Sequence, residues 1–355
     1  LILARRGKEG DGGPLSPLLD LRSLSPGAFG GEQAQLLLMM KIVIPDDFPP
    51  VISGTPMLER LKAYGDVTVW TTRPESQAEL IRRIEGAEIV VNIRAYSKFT
   101  EEVFKKSPAL RLLSIWGTGV DNVDLEAAQR HGVTVTNTPN TSTESVAEHA
   151  LALMLAVARQ IPHLHNQMTK GTWTRGFITQ LLGKTAGILG TGAIGQQTAR
   201  LCRGIGMKVL AWTFHPSEEK AREIGFSYVP LETLLSQSDV ISIHLRLSKS
   251  TEGLLGEKEF RLMKPSAILI NTARGAIVRK EALLEALRGK KIAGAGLDVF
   301  EKEPIDPEDP LRTLENVVLT PHCAPSSPEV LERGLSMAVD NVASYLGGAP
   351  KNKVV

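Results

Sequence analysis

The sequence predicts an α/β protein of two doubly wound parallel-sheet domains, and three observations carry that expectation. From Lys41 onward, short β-branched runs alternate with helix-like segments, the pattern of parallel sheets covered by helices. That rhythm breaks at Asn137-Thr138-Pro139-Asn140 and restarts at Thr185. At 355 residues, the chain is about twice the length of a typical single domain.

Taken in order, the first 38 residues hold 7 Gly and 3 Pro, four basic and four acidic residues, and no usable periodicity. Residues 1–38 are therefore expected to be a disordered or non-native leader, from upstream translation or an expression remnant. They lack the apolar segment of a signal peptide and carry too many acids for a transit peptide. Strands are expected at Lys41–Ile44, Val67–Trp70, Glu88–Val91, Leu112–Ile115 and Val133–Thr136. The helices between them include Met57–Tyr64, Gln77–Ile84 and Leu125–Arg130, closed by Gly65, Gly86 and Gly132. Thr143 to about His165 reads as one connecting helix. Further strands are expected at Ala186–Leu189, Lys208–Trp212, Val240–Ile243, Ala267–Ile270, Ile292–Leu297 and Val317–Leu319, mostly continuous apolar runs. A last helix spans Pro328 to about Leu346.

Composition excludes several classes. With 42% hydrophobic and 23% charged residues and a net charge of +2, the chain has the make-up of a globular enzyme, not of a disordered protein. No Lys/Arg stripe with interleaved aromatics is present, so no nucleic-acid partner is expected. The longest apolar run, Ala150 to Ala158, is far short of the roughly 20 residues that span a bilayer, so no membrane partner is expected either. Two cysteines, Cys202 and Cys323, suit a reducing compartment and a cytoplasmic location.

One motif points to a ligand. Thr185 to Gly195 reads as a strand running into G-x-G-x-x-G. Gly190 permits the tight turn, Gly192 lets a pyrophosphate approach the backbone, and Gly195 lets the next helix pack on the strand. That helix would present free N–H groups and a positive dipole end to the phosphates. The second domain is therefore expected to be a Rossmann domain that binds NAD or NADP. The acid that normally bonds the adenosine ribose is missing, because Thr213 ends the following strand and no Asp or Glu occurs before Glu218. Thr213, with His215 nearby, shifts the balance slightly toward NADP, but no Arg follows at once to clamp a 2′-phosphate.

Three further segments each follow an expected strand: Asn271-Thr272-Ala273-Arg274-Gly275, Gly296 to Pro304, and Thr320-Pro321-His322. Carboxyl ends of strands line the ligand crevice in open α/β sheets. A guanidinium there can hold a carboxylate bidentately, and a histidine held by a carboxylate can exchange the proton that accompanies hydride transfer.

From about Lys41 to its end, the chain resembles the D-isomer-specific 2-hydroxyacid dehydrogenases, a family that includes glyoxylate/hydroxypyruvate reductases and phosphoglycerate dehydrogenases. Trp116 to Asp124, Asn137-Thr138-Pro139, Val146-Ala147-Glu148-His149, Gly190–Gly195, Asn271–Gly275 and Asp298–Pro304 carry the resemblance. It implies an oxidoreductase that moves a hydride between NAD(P)H and a small 2-keto or D-2-hydroxy acid. Arg274 would bind the substrate carboxylate, His322 would be the acid/base, and Glu303, rather than nearby Glu301, its carboxylate partner. Asp298 would bond the nicotinamide carboxamide, Thr272 and Ala273 would line the nicotinamide end, and Ala193 and Ile194 the pyrophosphate. Arg94 and the Trp116–Val120 loop, with Thr118 and Gly119, would close over the substrate. The last helix would return to the first domain, so that residues 39–139 and 321–355 form the substrate-binding domain and 140–320 the dinucleotide-binding domain, with a cleft between. A homodimer is implied, with Ile161–Leu182 as an arm.

Departures from the family pattern are Thr213, Arg246 where many members have proline, and Cys323-Ala324-Pro325 in place of Ile-Gly-Gly. Glu303 argues against formate dehydrogenase, which carries glutamine there. The alternative from another class is a non-catalytic, corepressor-like scaffold that senses NAD(H). No metal is expected: His149 reads as a structural histidine, and His163 and His165 point apart on a helix. His244 either lines the cofactor site or packs. Cys323 is not needed as a nucleophile.

Overall fold

Five parallel strands form the first sheet: β1 (Lys41–Ile44), β2 (Asp66–Val69), β3 (Ile89–Asn92), β4 (Leu112–Ile115) and β5 (Thr134–Thr136), in the order β2-β1-β3-β4-β5. They belong to a computed structural model that describes residues 40–94 and 96–355, so the expected leader, residues 1–38, lies outside the described residues. Successive strand residues face opposite sides, and both sides are covered. Val43, Val90, Leu113 and Val135 pack under α2 (Gln77–Arg83), α3 (Glu101–Lys106) and α4 (Leu125–Arg130). Ile42, Ile44, Ile89, Val91 and Leu112 pack under α1 (Pro56–Lys62) and the terminal helix. Glu101 and Glu102 open α3 and Lys105 and Lys106 close it, complementing its dipole.

The second sheet has seven parallel strands in the order β12-β11-β10-β9-β6-β7-β8. These are β6 (Thr185–Leu189), β7 (Lys208–Trp212), β8 (Ser227–Tyr228), β9 (Val240–Ile243), β10 (Ile268–Asn271), β11 (Gly294–Leu297) and β12 (Val317–Leu319). Strand order reverses beside β6, which has β7 on one side and β9 on the other. That reversal is the switch point where doubly wound sheets hold ligands.

The expected single helix after residue 142 is instead two, α5 (Thr143–Ala158) and α6 (Ile161–Thr169). Gln160 adopts a left-handed backbone with φ 51°, and Pro162 has no N–H to continue the ladder. The carbonyl of Ala158, which a helical residue 162 would have bonded, accepts the N–H of Thr179 at 2.9 Å instead. α5 lies close on β11 because glycines stand beneath it: a Cβ on Gly294 or Gly296 would sit 2.9 Å from Val157 or Leu153.

The remaining helices of this unit are α7 (Ala193–Gly204), α8 (Glu218–Ile224), α9 (Leu231–Gln237), α10 (Glu257–Leu262) and α11 (Lys280–Arg288). The terminal helix, α12 (Pro328–Leu346), starts at Ser327, whose side chain accepts the N–H of Val330. It packs on β4 and α1, and Ser114 donates to the Ala338 carbonyl at 3.0 Å. Beyond it the chain end runs along the edge of β5, with Val354 N–H on the Val135 carbonyl at 2.7 Å, so that edge is paired. No helix among the described residues is long and apolar enough to cross a membrane.

Leu335 is 1% exposed and closes the α12 side of the first core. Leu335→Ala is expected to cost about 2–5 kcal/mol, the range for emptying a packed aliphatic site; urea unfolding that shows under about 1 kcal/mol would mean that α12 does not seal this core.

Candidate active site

The turn between β6 and α7 is built around its glycines. Gly190 has φ 94°, and a Cβ there would lie 2.6 Å from the His244 carbonyl oxygen. A Cβ on Gly195 would lie 1.9 Å from the Gly190 carbonyl oxygen, whereas Gly192 faces open space. α7 therefore begins directly on the turn, and no side chain caps it. The N–H groups of Ala193, Ile194 and Gly195 are left for a ligand oxygen. At the end of β7, Thr213 lines a pocket of about 280 Å³ with Trp212, Pro216, Tyr228, Val229 and Pro230. His215 is exposed beyond it. At the end of β10, Thr272 Oγ1 is buried without a hydrogen-bond partner. These features fit a dinucleotide: a backbone cradle for the diphosphate, a side pocket at the adenosine end, and an unsatisfied hydroxyl at the nicotinamide end.

Arg274 follows Thr272 and Ala273. The Asn271 side chain shapes the turn, accepting from Ala273 N–H at 3.0 Å and donating to the Arg274 carbonyl at 2.9 Å. Gly275 is required beneath it, since a Cβ would lie 2.0 Å from the Phe300 carbonyl carbon. The Arg274 guanidinium reaches across to the first domain, where it donates to Asp121 from Nε at 3.1 and 3.2 Å and from Nη2 at 2.9 Å. Burial pushes the Asp121 carboxyl up, but the bonds and charge of Arg274 outweigh it and hold it below the usual range.

His322 Nδ1 lies 2.7 Å from Glu303 Oε2. Ionised carboxylates only accept, so Nδ1 carries the proton, and Nε2 has no partner among the described residues. Glu303 Oε1 accepts the Phe300 N–H at 2.9 Å. Burial pushes Glu303 up, but the bond and charge of His322, the Phe300 N–H and the charge of Arg274 prevail and keep it low. Glu301 is exposed and lines a separate pocket with Lys302 and Asp306.

Asp298 is fully buried. Its Oδ1 accepts Thr320 Oγ1 at 2.6 Å and Cys323 N–H at 2.9 Å, and its Oδ2 accepts Ala324 N–H at 2.9 Å. Because the Thr320 hydroxyl gives its one proton to Asp298, His149 Nε2 donates to Thr320 Oγ1 at 2.9 Å, and it sits 3.5 Å from Asp298 Oδ1. The expected carboxamide ligand thus also anchors the loop that carries His322. Donor atoms of His149, Asp298 and Cys323 lie within 4.8 Å of one another, but both Asp298 oxygens already take protein donors. The Cys323-Ala324-Pro325 departure leaves this loop tied, because the Ala324 carbonyl also accepts Ser145 Oγ at 2.6 Å.

On the first domain, Arg94 Nη2 donates to the Pro49 carbonyl at 2.7 Å, and its guanidinium lies 5.6 Å from the centre of the Trp116 ring. Thr118 Oγ1 approaches the Thr138 carbonyl at 3.4 Å, and Gly119 abuts Arg274. Asp46 supports the Arg94 segment: it accepts Ile93 N–H at 3.1 Å, Asn92 Nδ2 at 2.7 Å and Ser97 Oγ at 2.5 Å. Elsewhere, burial pushes His244 down to about 3, and its Nε2 pairs with Ser242 Oγ at 2.9 Å. Arg246 is exposed, and its carbonyl accepts Thr251 Oγ1 at 2.6 Å. His163 and His165 lie on α6.

Sequence reasoning gave no individual role to Asp121 or Asp46, and it read His149 as structural without naming its partner. Asp121 lay inside a quoted motif, but its partner is 153 residues away.

Residues 151–324 match the family described as D-isomer specific 2-hydroxyacid dehydrogenase, NAD binding domain. The chain is 38% identical to a glyoxylate reductase of Korarchaeum cryptofilum, covering 84% of this chain and 92% of that protein. It is 43% identical to a D-3-phosphoglycerate dehydrogenase of Archaeoglobus fulgidus, covering 79% of this chain and 53% of that protein. Among solved structures, an acyclic imino acid reductase in complex with NADPH and D-Arg superimposes with TM-score 0.81 at 31% identity, covering 89% of this chain and all (100%) of that one.

The Asp46 carboxyl, 0% exposed, is pushed up to about 6 by burial, against the bonds from Ser97, Ile93 and Arg94. An unfolded Asp titrates near 3.9, so the folded state holds this proton more tightly; the stabilisation is complete below that value and is lost as pH rises through about 6. The stability of wild type relative to Asp46→Asn should therefore fall by about 2 kcal/mol between about pH 4 and pH 7. Urea titrations showing a pH-independent difference would remove this linkage.

Proposed function

Because the chain belongs to the D-isomer-specific 2-hydroxyacid dehydrogenase family, we propose that it reduces a small 2-keto acid to the D-2-hydroxy acid with a nicotinamide dinucleotide, NADPH ahead of NADH. The observation that carries this reading is the convergence of Arg274 and the His322–Glu303 pair at the carboxyl ends of β10, β11 and β12. The relatives named glyoxylate reductase support a short keto acid as substrate.

The dinucleotide, held by Gly190, Gly192, Ala193, Ile194 and Gly195 with Thr272, Ala273 and Asp298 toward the nicotinamide, supplies the hydride. Arg274 holds the substrate carboxylate, with Thr118, Gly119 and Arg94 on the opposite wall. His322 donates the proton at Nε2 to the carbonyl oxygen as alkoxide charge develops. Glu303 keeps Nδ1 protonated and its own negative charge faces the imidazole throughout, so the ring is oriented and its cationic form stabilised. In oxidation, neutral His322 takes the proton back. Thr213 supports NADPH because no carboxylate at that position repels a 2′-phosphate, and one structural neighbour is a complex with NADPH.

The decisive experiment follows oxidation of NADPH and NADH with glyoxylate, hydroxypyruvate, pyruvate and longer 2-keto acids. Turnover with at least one short acid and a lower KM for NADPH are expected; tight cofactor binding without turnover would favour the scaffold alternative. His322→Ala should lower kcat more than about 100-fold while cofactor binding persists, and near-normal turnover would take His322 out of the reaction.

The same reading includes a cytoplasmic homodimer. Cys202 and Cys323 are free thiols, as in a reducing compartment. Ile161, Met168, Trp173, Phe177, Ile178 and Leu182 are exposed apolar side chains gathered on α6 and the segment after it, with Trp173 70% and Phe177 105% exposed. Such a cluster calls for a cover, and a second copy of the chain supplies it. Light scattering should report a dimer that Trp173→Asp with Phe177→Asp converts to monomer; a wild-type monomer at assay concentration would refute it.

A further inference from the structure

Arg274 is expected to bind the substrate carboxylate, yet its guanidinium already holds a carboxylate of the protein. The arrangement of that contact decides what it does. A guanidinium has five N–H donors. Nε–H goes to Asp121, between Oδ1 at 3.1 Å and Oδ2 at 3.2 Å. One Nη2–H goes to Asp121 Oδ1 at 2.9 Å, and one Nη1–H goes to the Ala273 carbonyl at 2.8 Å. Two donors are left, one on each terminal nitrogen. Asp121 therefore grips the side edge of the guanidinium, and the two remaining N–H groups are those that can form a fork for a second carboxylate.

We propose that Asp121 is a positioning residue for Arg274: from the first domain it holds the side edge of the guanidinium, so that the remaining N–H pair meets the substrate carboxylate. The inference rests on the reading of Arg274 given above. The surroundings of the pair are shaped for it. A Cβ on Gly119 would lie 2.1 Å from Arg274 Nη2 and 2.9 Å from Asp121 Oδ1, so the backbone of the Trp116–Asp124 loop abuts both partners. The Ala273 carbonyl fixes the opposite end from within the second domain. With both domains holding it, the plane of Arg274 depends on how the cleft is set. A side chain this long would otherwise sample several rotamers and lose that freedom on each substrate encounter. A surface ion pair would not need this glycine or this three-point hold.

The test uses the intact enzyme and oxamate, a carboxylate analogue that is not reduced, titrated onto the enzyme–NADPH complex by cofactor fluorescence. Asp121→Ala should weaken oxamate binding and raise KM for glyoxylate at least about tenfold, with kcat changing less. Asp121→Asn keeps one acceptor oxygen and should recover part of that loss. NADPH affinity should stay within about twofold in both variants, a split that general misfolding does not produce. Unchanged or tighter oxamate binding in folded Asp121→Ala overturns the proposal, tighter binding marking Asp121 as a competitor of substrate. Arg274→Met serves as control: weak binding there with no effect at Asp121 overturns the positioning role alone, whereas no effect in either variant overturns the Arg274 reading with it.

Discussion

The loop that carries His322 depends on one buried carboxylate. Asp298 is wholly inside the protein, where an ionised group without partners would be costly. Burial pushes its carboxyl up, but His149, Thr320 and the N–H groups of Ala324 and Cys323 outweigh that and hold it low. The donors it needs are those of residues 320, 323 and 324, which flank His322 on both sides. Its backbone carbonyl also accepts the His322 N–H at 2.8 Å. His322 itself has φ 51°, a left-handed backbone that is unfavourable for a side-chain-bearing residue. Such a conformation persists where its surroundings over-determine it, and strain of this kind gathers at functional sites. The turn that aims the imidazole at Glu303 is thus held through Asp298, a residue whose expected role concerned the cofactor alone.

Contacts between the two sheets then set the geometry of the cleft. α5 belongs to the second sheet by packing, yet Ser145 and His149 on it reach the Ala324 carbonyl and Thr320. α12 leaves the catalytic loop through Ser327 and runs back over the first sheet, with Asn341 donating to the Asn137 carbonyl at 2.8 Å. Two chain crossings therefore lie next to the site. These crossings adjoin the loops carrying His322 on one side and Asp121 on the other. Closure of such a cleft removes water from the reacting atoms.

How much of this was legible in the sequence depends on how local each feature is. The strands could be read because parallel sheets covered on both faces demand continuous apolar runs such as Val240–Ile243. The glycine turn could be read because strand, turn and helix are contiguous. Arg274, Glu303 and His322 stood out since each follows a strand, and the sheet brings strand ends together whatever lies between them. The break before Ile161 had a visible cause in Pro162, but the good helix formers around it masked the signal. β8, at two residues, is too short to produce a pattern. Asp46 and Asp121, and the partner of His149, were opaque for a different reason: each contact is fixed only by tertiary packing, 47, 153 and 171 positions apart respectively.

Charge balance in the cleft follows from the same contacts. Arg274 faces Asp121, His322 faces Glu303, and the charge of Arg94 bears on buried Asp46. The cations that would attract an anionic substrate are each offset nearby, and the whole chain carries only +2. A long-range field therefore contributes little to capture, because paired charges cancel within a Debye length of roughly 8–10 Å. In the proposed reaction, recognition would come instead from short-range, directional bonds: the remaining N–H pair of Arg274 and the imidazole Nε2, held by separate loops of one sheet. On that reading, those two groups would select a carboxylate adjacent to a carbonyl over an anion of equal charge and different shape. In the proposed enzyme, then, pairing the cations trades strength of attraction for discrimination by geometry, and the residues that hold Arg274 and His322 in place would govern specificity as much as the two side chains proposed to touch the substrate.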